Sequence, residues 1–211
     1  VEPLGPEDPG SVTVVGAVSP PGGDFSEPVT QNTLRVVKNF WALDKDLAEK
    51  RHFPSINWDD SYSGYDDMLS EYFEDEVDEE WQDNIQRMKD LLQKDGELQE
   101  TVQLVGKDAL PDRERLTLEI GTLVKQFYLQ QNAFHPVDQY SSPDKTFNIL
   151  ELILDWGDEA YQALEDGAMV EDIISLSSKN RISEVKTAED YDAKIEEIRE
   201  QMQEEFSEIE K

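Results

Sequence analysis

The spacing of apolar residues changes near residue 60, and the change divides the chain into two parts. Before it, residues 11–18 are apolar at nearly every position and lead into a Pro/Gly loop at 19–23, which predicts a buried strand. Residues 30–47 then carry apolar side chains at helical spacing, which predicts a helix that ends before Pro54. Strand, tight loop and helix in this order are typical of an α/β unit.

The predicted strand at 11–18 needs neighbours. A strand that is apolar on both faces is typical of a parallel sheet flanked by helices, and its backbone groups must find hydrogen-bond partners. We expect the remaining strands to lie outside this sequence. The alternative is that the run packs as an isolated extension.

From about residue 60 onward, the apolar patterns are helical. The predicted helices share an apolar stripe and are bounded by capping signals; they lie at 65–72, at 81–105 before Gly106, from Pro111 to 127, from Ser142–Pro143 to 164 before Gly167, at 170–176, and from the capping-box variant Thr187–Asp190 past Phe206. The sequence therefore predicts a mainly α fold, in which an α/β edge is followed by a helical bundle.

Acidic residues dominate the composition. The 211 residues include 49 Asp and Glu against 19 Lys and Arg, a formal net charge of −30, which disfavours binding to nucleic acid. The acids are spread along most of the chain, which indicates a surface adapted to high salt. Because 37% of the residues are hydrophobic and four are Trp, we expect a folded protein.

Several classes of site and segment are disfavoured. No run of about 18 apolar residues is present, and the first residues lack a signal-peptide pattern, so we expect any membrane association to come through partners. With no Cys and only two His, we expect neither disulfides nor a metal site. The acidic run 71–80 lacks EF-hand spacing and indicates a solvated face. No Walker-type phosphate loop is present, so this chain alone should not hydrolyse ATP.

Two phenylalanines lie in breaks between predicted helices. Phe53 stands between His52 and Pro54, and Phe134 precedes His135 and Pro136. Rings at such breaks can project into a cleft and stack on a flat group such as adenine. The alternative, which the pattern alone favours, is that both rings plug an interface.

Four stretches together resemble the catalytic A subunit of archaeal and vacuolar-type rotary ATPases: residues 10–30, 51–58, 97–111 and 129–138. The resemblance implies that residues 1–62 complete an α/β P-loop-type nucleotide-binding domain and that residues 63–211 form the helical C-terminal domain. It also implies that the phosphate loop, the Mg²⁺ carboxylate and the catalytic acid lie upstream of Val1. No catalytic or metal-binding residue is therefore expected within this chain.

The resemblance changes the interpretation of the two rings. It implies that Phe53 and Phe134 flank the adenine of bound ATP or ADP, with Gln131 and Asn132 lining the same end of the pocket. It further implies that the loop containing Pro21, Gly22, Gly23 and Asp24 contacts a central shaft.

The function that the resemblance implies is part of an ion-translocating ATP synthase. The chain would supply the adenine side of the pocket and a helical lever that couples ATP synthesis or hydrolysis to shaft rotation. The implied partners are B subunits in an alternating A3B3 hexamer and the central-stalk subunits, at the cytoplasmic face of the cell membrane. The alternative is a non-catalytic acidic helical module that binds a protein partner without nucleotide; a strand without neighbours, at 11–18, would speak against it.

Overall fold

The computed structural model describes residues 10, 12–23 and 25–209. The chain divides into two units, residues 1–40 and 41–211. In the first, α1 (Pro28–Leu34) begins after Glu27, whose carboxylate accepts the N–H groups of Val29 and Thr30. This contact satisfies backbone donors that the first turn of a helix leaves open.

The prediction of a buried strand at 11–18 is wrong for the residues described. Residues 12–20 have no regular secondary structure, and Val12, Val14 and Val15 are 93%, 86% and 80% exposed. Residue 11 lies outside the described residues. The two strands found in the described part of the chain pair with each other and not with this run. Strand-forming residues without a neighbouring edge do not make a sheet.

The predicted helix at 30–47 is also wrong beyond its first turns. Helix α1 ends at Leu34, strand β1 (Asn39–Leu43) follows, and helix α2 (Lys45–Glu49) begins after Asp44. Along β1, burial alternates with a period of two, with Ala42 buried and its neighbours exposed. A short apolar run matches helix and strand templates equally well, and its aromatic content favours the strand.

The second strand, β2 (Ile56–Ser63), pairs with β1 and leads into seven further helices in the described residues. They are α3 (Asp66–Glu76), α4 (Trp81–Val105), α5 (Asp112–Leu123), α6 (Pro143–Glu165), α7 (Val170–Ser175), α8 (Ser178–Val185) and α9 (Tyr191–Ile209). A π-helical segment, Val124–Leu129, continues α5 directly. The mainly α fold is thus confirmed.

The helical core is built from the stripes that the sequence predicts. Its fully buried large side chains include Leu116, Leu150, Ile153, Trp156 and Ile198. These residues come from α5, α6 and α9, so the long α6 packs in the centre. Such packing, rather than intrinsic propensity, supplies most of the stability of helices in a bundle.

Most predicted helix ends are confirmed. Ser142 Oγ accepts the N–H of Lys145 at the start of α6, and Gly106 and Gly167 have φ angles of 85° and 100°. The capping box at Thr187 is wrong: Thr187 N donates to Glu184 at the end of α8. Asp190 alone caps α9, its Oδ1 accepting the N–H of Ala193 at 3.1 Å, because a carboxylate just before the first turn suffices.

The start of α8 is held by a carboxylate from α9. Glu205 accepts Ser177 Oγ at 2.5 Å, the N–H of Ser178 at 3.0 Å and the amide of Gln201 at 2.7 Å. Burial alone would raise the pKa of Glu205, but these hydrogen bonds outweigh it and lower the pKa to about 2. The charged form is therefore tied to the folded state.

The substitution Glu205→Gln is expected to lower the free energy of unfolding at pH 7 by about 1–2 kcal/mol, a value discounted for the partial exposure of the side chain. Because the folded pKa lies below the usual value of 4.5, this stability is present above pH 4.5 and is lost as the pH falls toward 2. Urea unfolding at pH 7 and pH 3 measures the difference in stability between the variant and the unchanged protein. Glu204→Gln, at an exposed neighbouring position, is the control; an equal loss at both pH values would contradict the assignment.

Candidate functional site

A cleft of about 610 Å³ lies where the segment after α2 meets the loop after the π-helical segment. Phe53 lines it from the first segment, and Gln131, Asn132 and Phe134 line it from the loop. We call residues 130–138 the cleft loop. The structure thus brings together the four residues that the resemblance assigns to adenine; their binding role stays a prediction.

The two rings present open faces. Phe134 is 98% exposed and Phe53 is 51% exposed, although both line the same cleft. Phenylalanine in this position covers little of the protein's own core. A planar ligand that entered the cleft would find exposed aromatic surface there, and such surface is what stacking requires.

The position of Phe53 follows from how α2 ends. Arg51 adopts a left-handed conformation, with φ of 59°, and its N–H donates to the carbonyl of Ala48 at 3.0 Å. The N–H of His52 donates to the carbonyl of Leu47 at 2.9 Å. This turn closes the helix and directs the chain into the cleft wall.

Hydrogen bonds join the two walls of the cleft. The N–H of Gln131 donates to the carbonyl of Phe53 at 2.8 Å. The side-chain amide of Gln130 donates to the carbonyl of Arg51 at 3.3 Å. Because these contacts fix the backbone beside Phe53, the cleft has a defined width on this side.

The cleft loop is braced by its own polar side chains. Asp138 Oδ2 accepts the N–H of Asn132 at 2.6 Å, and the amide of Gln131 donates to the carbonyl of Asp138 at 2.7 Å. Asn132 Oδ1 accepts the N–H of Phe134 at 3.0 Å, and His135 Nδ1 accepts the N–H of Asp138 at 3.2 Å. Gln131 and Asn132 therefore shape the loop as well as line it.

Sequence reasoning did not assign several residues to this site, among them Arg51, Asp138, His135 and Lys186. Asp138 and His135 lie within a stretch that carries the family resemblance, so their polar side chains were the available signal. Lys186 also lines the cleft, but it follows α8 and is distant in the sequence. No local pattern around it indicates a role in the loop.

Basic residues outnumber acidic ones in the lining of the cleft, with Arg51 and Lys186 against Asp138, despite the acidity of the chain. Arg51 and Lys186 line it, and Lys145 lies directly behind it. Burial lowers the pKa of Lys186 and of Lys145, and the nearby carboxylate of Asp138 acts against this lowering in both. Burial also lowers the pKa of His52, with further contributions from Lys186 and Lys125. Local cations of this kind attract an anionic ligand.

The loop predicted to contact a shaft is only partly described. Pro21–Gly23 form a 3₁₀ turn, in which Gly22 and Gly23 have φ angles of 68° and 74°. These left-handed conformations favour glycine. Asp24 lies outside the described residues, and the shaft contact stays a prediction.

Two properties of the described residues bear on the class of protein. Within residues 10, 12–23 and 25–209, no cluster of three or more His, Asp or Glu side chains has a metal-binding arrangement. Over the same residues, no helix has the length and apolar character needed to cross a bilayer.

Two family models match adjoining parts of the chain. Residues 2–63 match the nucleotide-binding domain of the ATP synthase alpha/beta family. Residues 70–174 match the C-terminal domain of V and A type ATP synthase.

The chain is also similar to curated proteins over nearly all its length. It is 54% identical over 200 residues to the A subunit of the A-type ATP synthase of Haloferax volcanii, covering 95% of this chain and 34% of that protein. It is 54% identical over 200 residues to the corresponding protein of Methanosarcina barkeri, covering 95% of this chain and 35% of that protein. The chain thus spans about a third of the length of these relatives.

A solved structure shares the fold. The ATP synthase subunit NeqB from Nanoarchaeum equitans superposes with a TM-score of 0.54 at 23% sequence identity, over 65% of this chain and 32% of that chain.

Proposed function

Because this chain belongs to the family of A-type ATP synthase A subunits, we propose that it supplies the adenine side of a nucleotide pocket and a helical lever that moves with it. The observation that carries the proposal is the cleft in which the exposed rings of Phe53 and Phe134 lie together. In this proposal the rings stack on the adenine of ATP or ADP, and Gln131 and Asn132 border the same end.

The cleft is suited to a nucleotide in its electrostatics as well as its shape. Arg51 and Lys186 place positive charge beside the rings in a chain whose net charge is −30. Without such local cations, an anionic ligand would be repelled at long range. The Mg²⁺ ligands and the groups that transfer the phosphoryl group would lie outside this chain, which alone would be inactive.

The division of labour would follow the division near residue 62. Residues 1–62 would complete the nucleotide-binding domain, and residues 63–211 would form the lever. Strand β2 ends at Ser63 and helix α3 begins at Asp66, so the proposed boundary coincides with the last strand in the described residues.

The lever would couple nucleotide exchange to rotation of a central shaft. Phe53 precedes the proposed boundary and Phe134 follows it. Movement of the helical domain that breaks the hydrogen bonds between the two cleft walls would therefore change the distance between the rings and thus the affinity for nucleotide. The shaft would contact Pro21, Gly22, Gly23 and Asp24. In the assembled enzyme, B subunits would alternate with A subunits in an A3B3 hexamer, and the central stalk would link rotation to ion translocation at the cytoplasmic face of the membrane.

Replacing Phe134 by Ala in the intact native protein tests the proposed pocket. We expect the variant to bind ATP more weakly by about 1–3 kcal/mol, because it loses one stacking surface. Fluorescence titration with a labelled ATP analogue, competed by ATP, measures the affinity.

Tyr140→Ala is the matched control, since Tyr140 is 80% exposed and follows the cleft loop without lining the cleft. The control should bind ATP as the unchanged protein does. Equal ATP affinity in the Phe134→Ala variant and the unchanged protein would contradict the stacking role of Phe134.

A further inference from the structure

Lys186 reaches the cleft from a part of the chain that lies beyond residues 70–174, the range of the matched C-terminal domain. It follows directly after α8, and its side chain is 13% exposed. Its ammonium group donates to the carbonyl of Gln130 and lies 3.4 Å from the carbonyl of Gln126. A largely covered cation is thus directed at two neighbouring carbonyls.

These carbonyls belong to the end of the π-helical segment Val124–Leu129. The N–H of Gln130 donates to the carbonyl of Lys125 at 3.1 Å, after which Gln130 turns to an extended conformation and starts the cleft loop. The last carbonyls of a helix have no partners further along the helix, and a lysine side chain can satisfy them. Lys186 does this at the point from which the loop departs.

The same lysine faces the carboxylate that braces the loop. Lys186 Nζ lies 4.0 Å from Asp138 Oδ2, the atom that accepts the N–H of Asn132. The side chain of Asp138 is only 9% exposed, so a neighbouring cation offsets the cost of keeping it charged. Lys186 therefore supports both ends of the cleft loop.

The position of Lys186 is itself fixed from α6. Lys145 Nζ donates to the backbone carbonyl of Lys186 at 2.8 Å, and the Lys145 side chain is buried. This contact holds the turn after α8 against the helical core. The two lysines thus connect the core to the loop that carries Phe134.

We propose that Lys186 is a positioning residue for adenine binding: it holds the start of the cleft loop and Asp138 so that Phe134 lines the same cleft as Phe53. The proposal rests on the proposed function, since it names a residue that prepares the pocket described there. Lys186 acts through backbone carbonyls and a carboxylate, and its amine has donors committed to the protein rather than to the base.

The test compares Lys186→Met and Lys186→Arg in the intact native protein. Methionine keeps the length of the side chain and removes its charge and donors, whereas arginine keeps both. Affinity is measured for ATP and for inorganic tripolyphosphate, which has the phosphate groups without the base. We expect Lys186→Met to weaken ATP binding about tenfold, within the range that loss of base stacking produces. Binding of tripolyphosphate should weaken clearly less, because it loses only the attraction of the removed charge and no stacking surface. Lys186→Arg should restore most of the ATP affinity.

Lys179→Met is the control for a loss that is merely structural. Lys179 lies on α8, the helix that Lys186 follows, its side chain is 8% exposed, and its amine binds Glu119 at 2.5 Å. Its replacement should lower the thermal stability without changing the ratio of ATP to tripolyphosphate affinity. An equal loss for both ligands in Lys186→Met would overturn the positioning role.

The outcomes for Lys186 and for the pocket are separable. If Phe134→Ala weakens ATP binding and Lys186→Met does not, the positioning role fails and the adenine pocket stands. If neither substitution changes ATP affinity, the proposed function itself fails.

Discussion

Lowering potassium chloride from about 1 M to about 10 mM is expected to reduce the free energy of unfolding by on the order of 5 kcal/mol. The chain carries a net charge of −30, and a folded chain of 211 residues has a radius of gyration of about 17 Å. The Debye length is roughly 30 Å at 10 mM and roughly 3 Å at 1 M. In dilute salt the carboxylates therefore repel one another across the whole molecule, and in molar salt they do not.

The stabilisation that ion pairs provide changes with salt in the opposite direction, but it is too small to reverse this effect. Exposed pairs such as Lys89–Asp66, with side chains 51% and 45% exposed, each contribute about 0–1 kcal/mol and lose part of this in salt. Most of the acidic residues have no basic residue available, because 49 acids face 19 bases. Repulsion among the carboxylates should therefore dominate, so that the free energy of unfolding increases with salt concentration.

Thermal and urea unfolding in a potassium chloride series measure this dependence. A triple variant, Glu74→Gln, Asp75→Asn and Glu76→Gln, changes three exposed acids on α3 and brings the net charge from −30 to −30 + 3 = −27. It should be more stable than the unchanged chain in dilute buffer and nearly equal to it in molar salt. Equal stability of the unchanged chain at both salt concentrations would remove the case for adaptation to high salt.

Most of the helices from α3 to α9 were predictable because their patterns are long, whereas α8, with only eight residues, was not predicted. An apolar stripe that repeats over several turns, as from Trp81 to Val105, fits one period only, and the caps at Ser142 and Gly167 mark ends independently. Residues 30–47 contain shorter apolar runs, where local spacing does not distinguish β1 from a helix. The failure at 11–18 has another cause, since a strand is defined by its neighbour and not by its own sequence.

The candidate site was predictable only in part, for a similar reason. Phe53 and Phe134 each stand at a local break, but only the family resemblance paired them, because no local signal states which breaks meet in space. The residues that hold the cleft loop in place are harder still to predict. The role of Asp138 depends on the backbone of Asn132, and that of Lys186 depends on the end of a π-helical segment in another part of the chain.

Replacing Lys125 by Met is expected to lower the free energy of unfolding by about 3 kcal/mol, because it leaves the carboxylate of Asp95 charged in a buried position. Lys125 Nζ and Asp95 Oδ2 lie 2.6 Å apart, with side chains 20% and 6% exposed. Asp95 Oδ1 is buried without a hydrogen-bond partner in the described residues. A Cβ on Gly121 would lie 2.7 Å from that oxygen, so the carboxylate has little room to move.

Urea unfolding of a double-mutant cycle isolates the pair. Asp95→Asn added to Lys125→Met should recover part of the lost stability, because the neutral amide leaves no buried charge without a partner. Lys89→Met, which breaks the exposed pair with Asp66, should cost less than about 1 kcal/mol. Additive effects of Lys125→Met and Asp95→Asn, within about 0.5 kcal/mol, would mean that the two side chains are not coupled.

The effect should also reach the cleft. Lys125 lies in the first turn of the π-helical segment, and its carbonyl accepts the N–H of Gln130, from which the cleft loop starts. Without the ion pair, this turn is no longer held to Asp95 on α4. Hydrogen exchange should therefore show faster exchange at the amide of Gln130 in Lys125→Met than in Lys89→Met. Unchanged protection of that amide, together with the stability loss, would mean that the ion pair stabilises the bundle without fixing the loop.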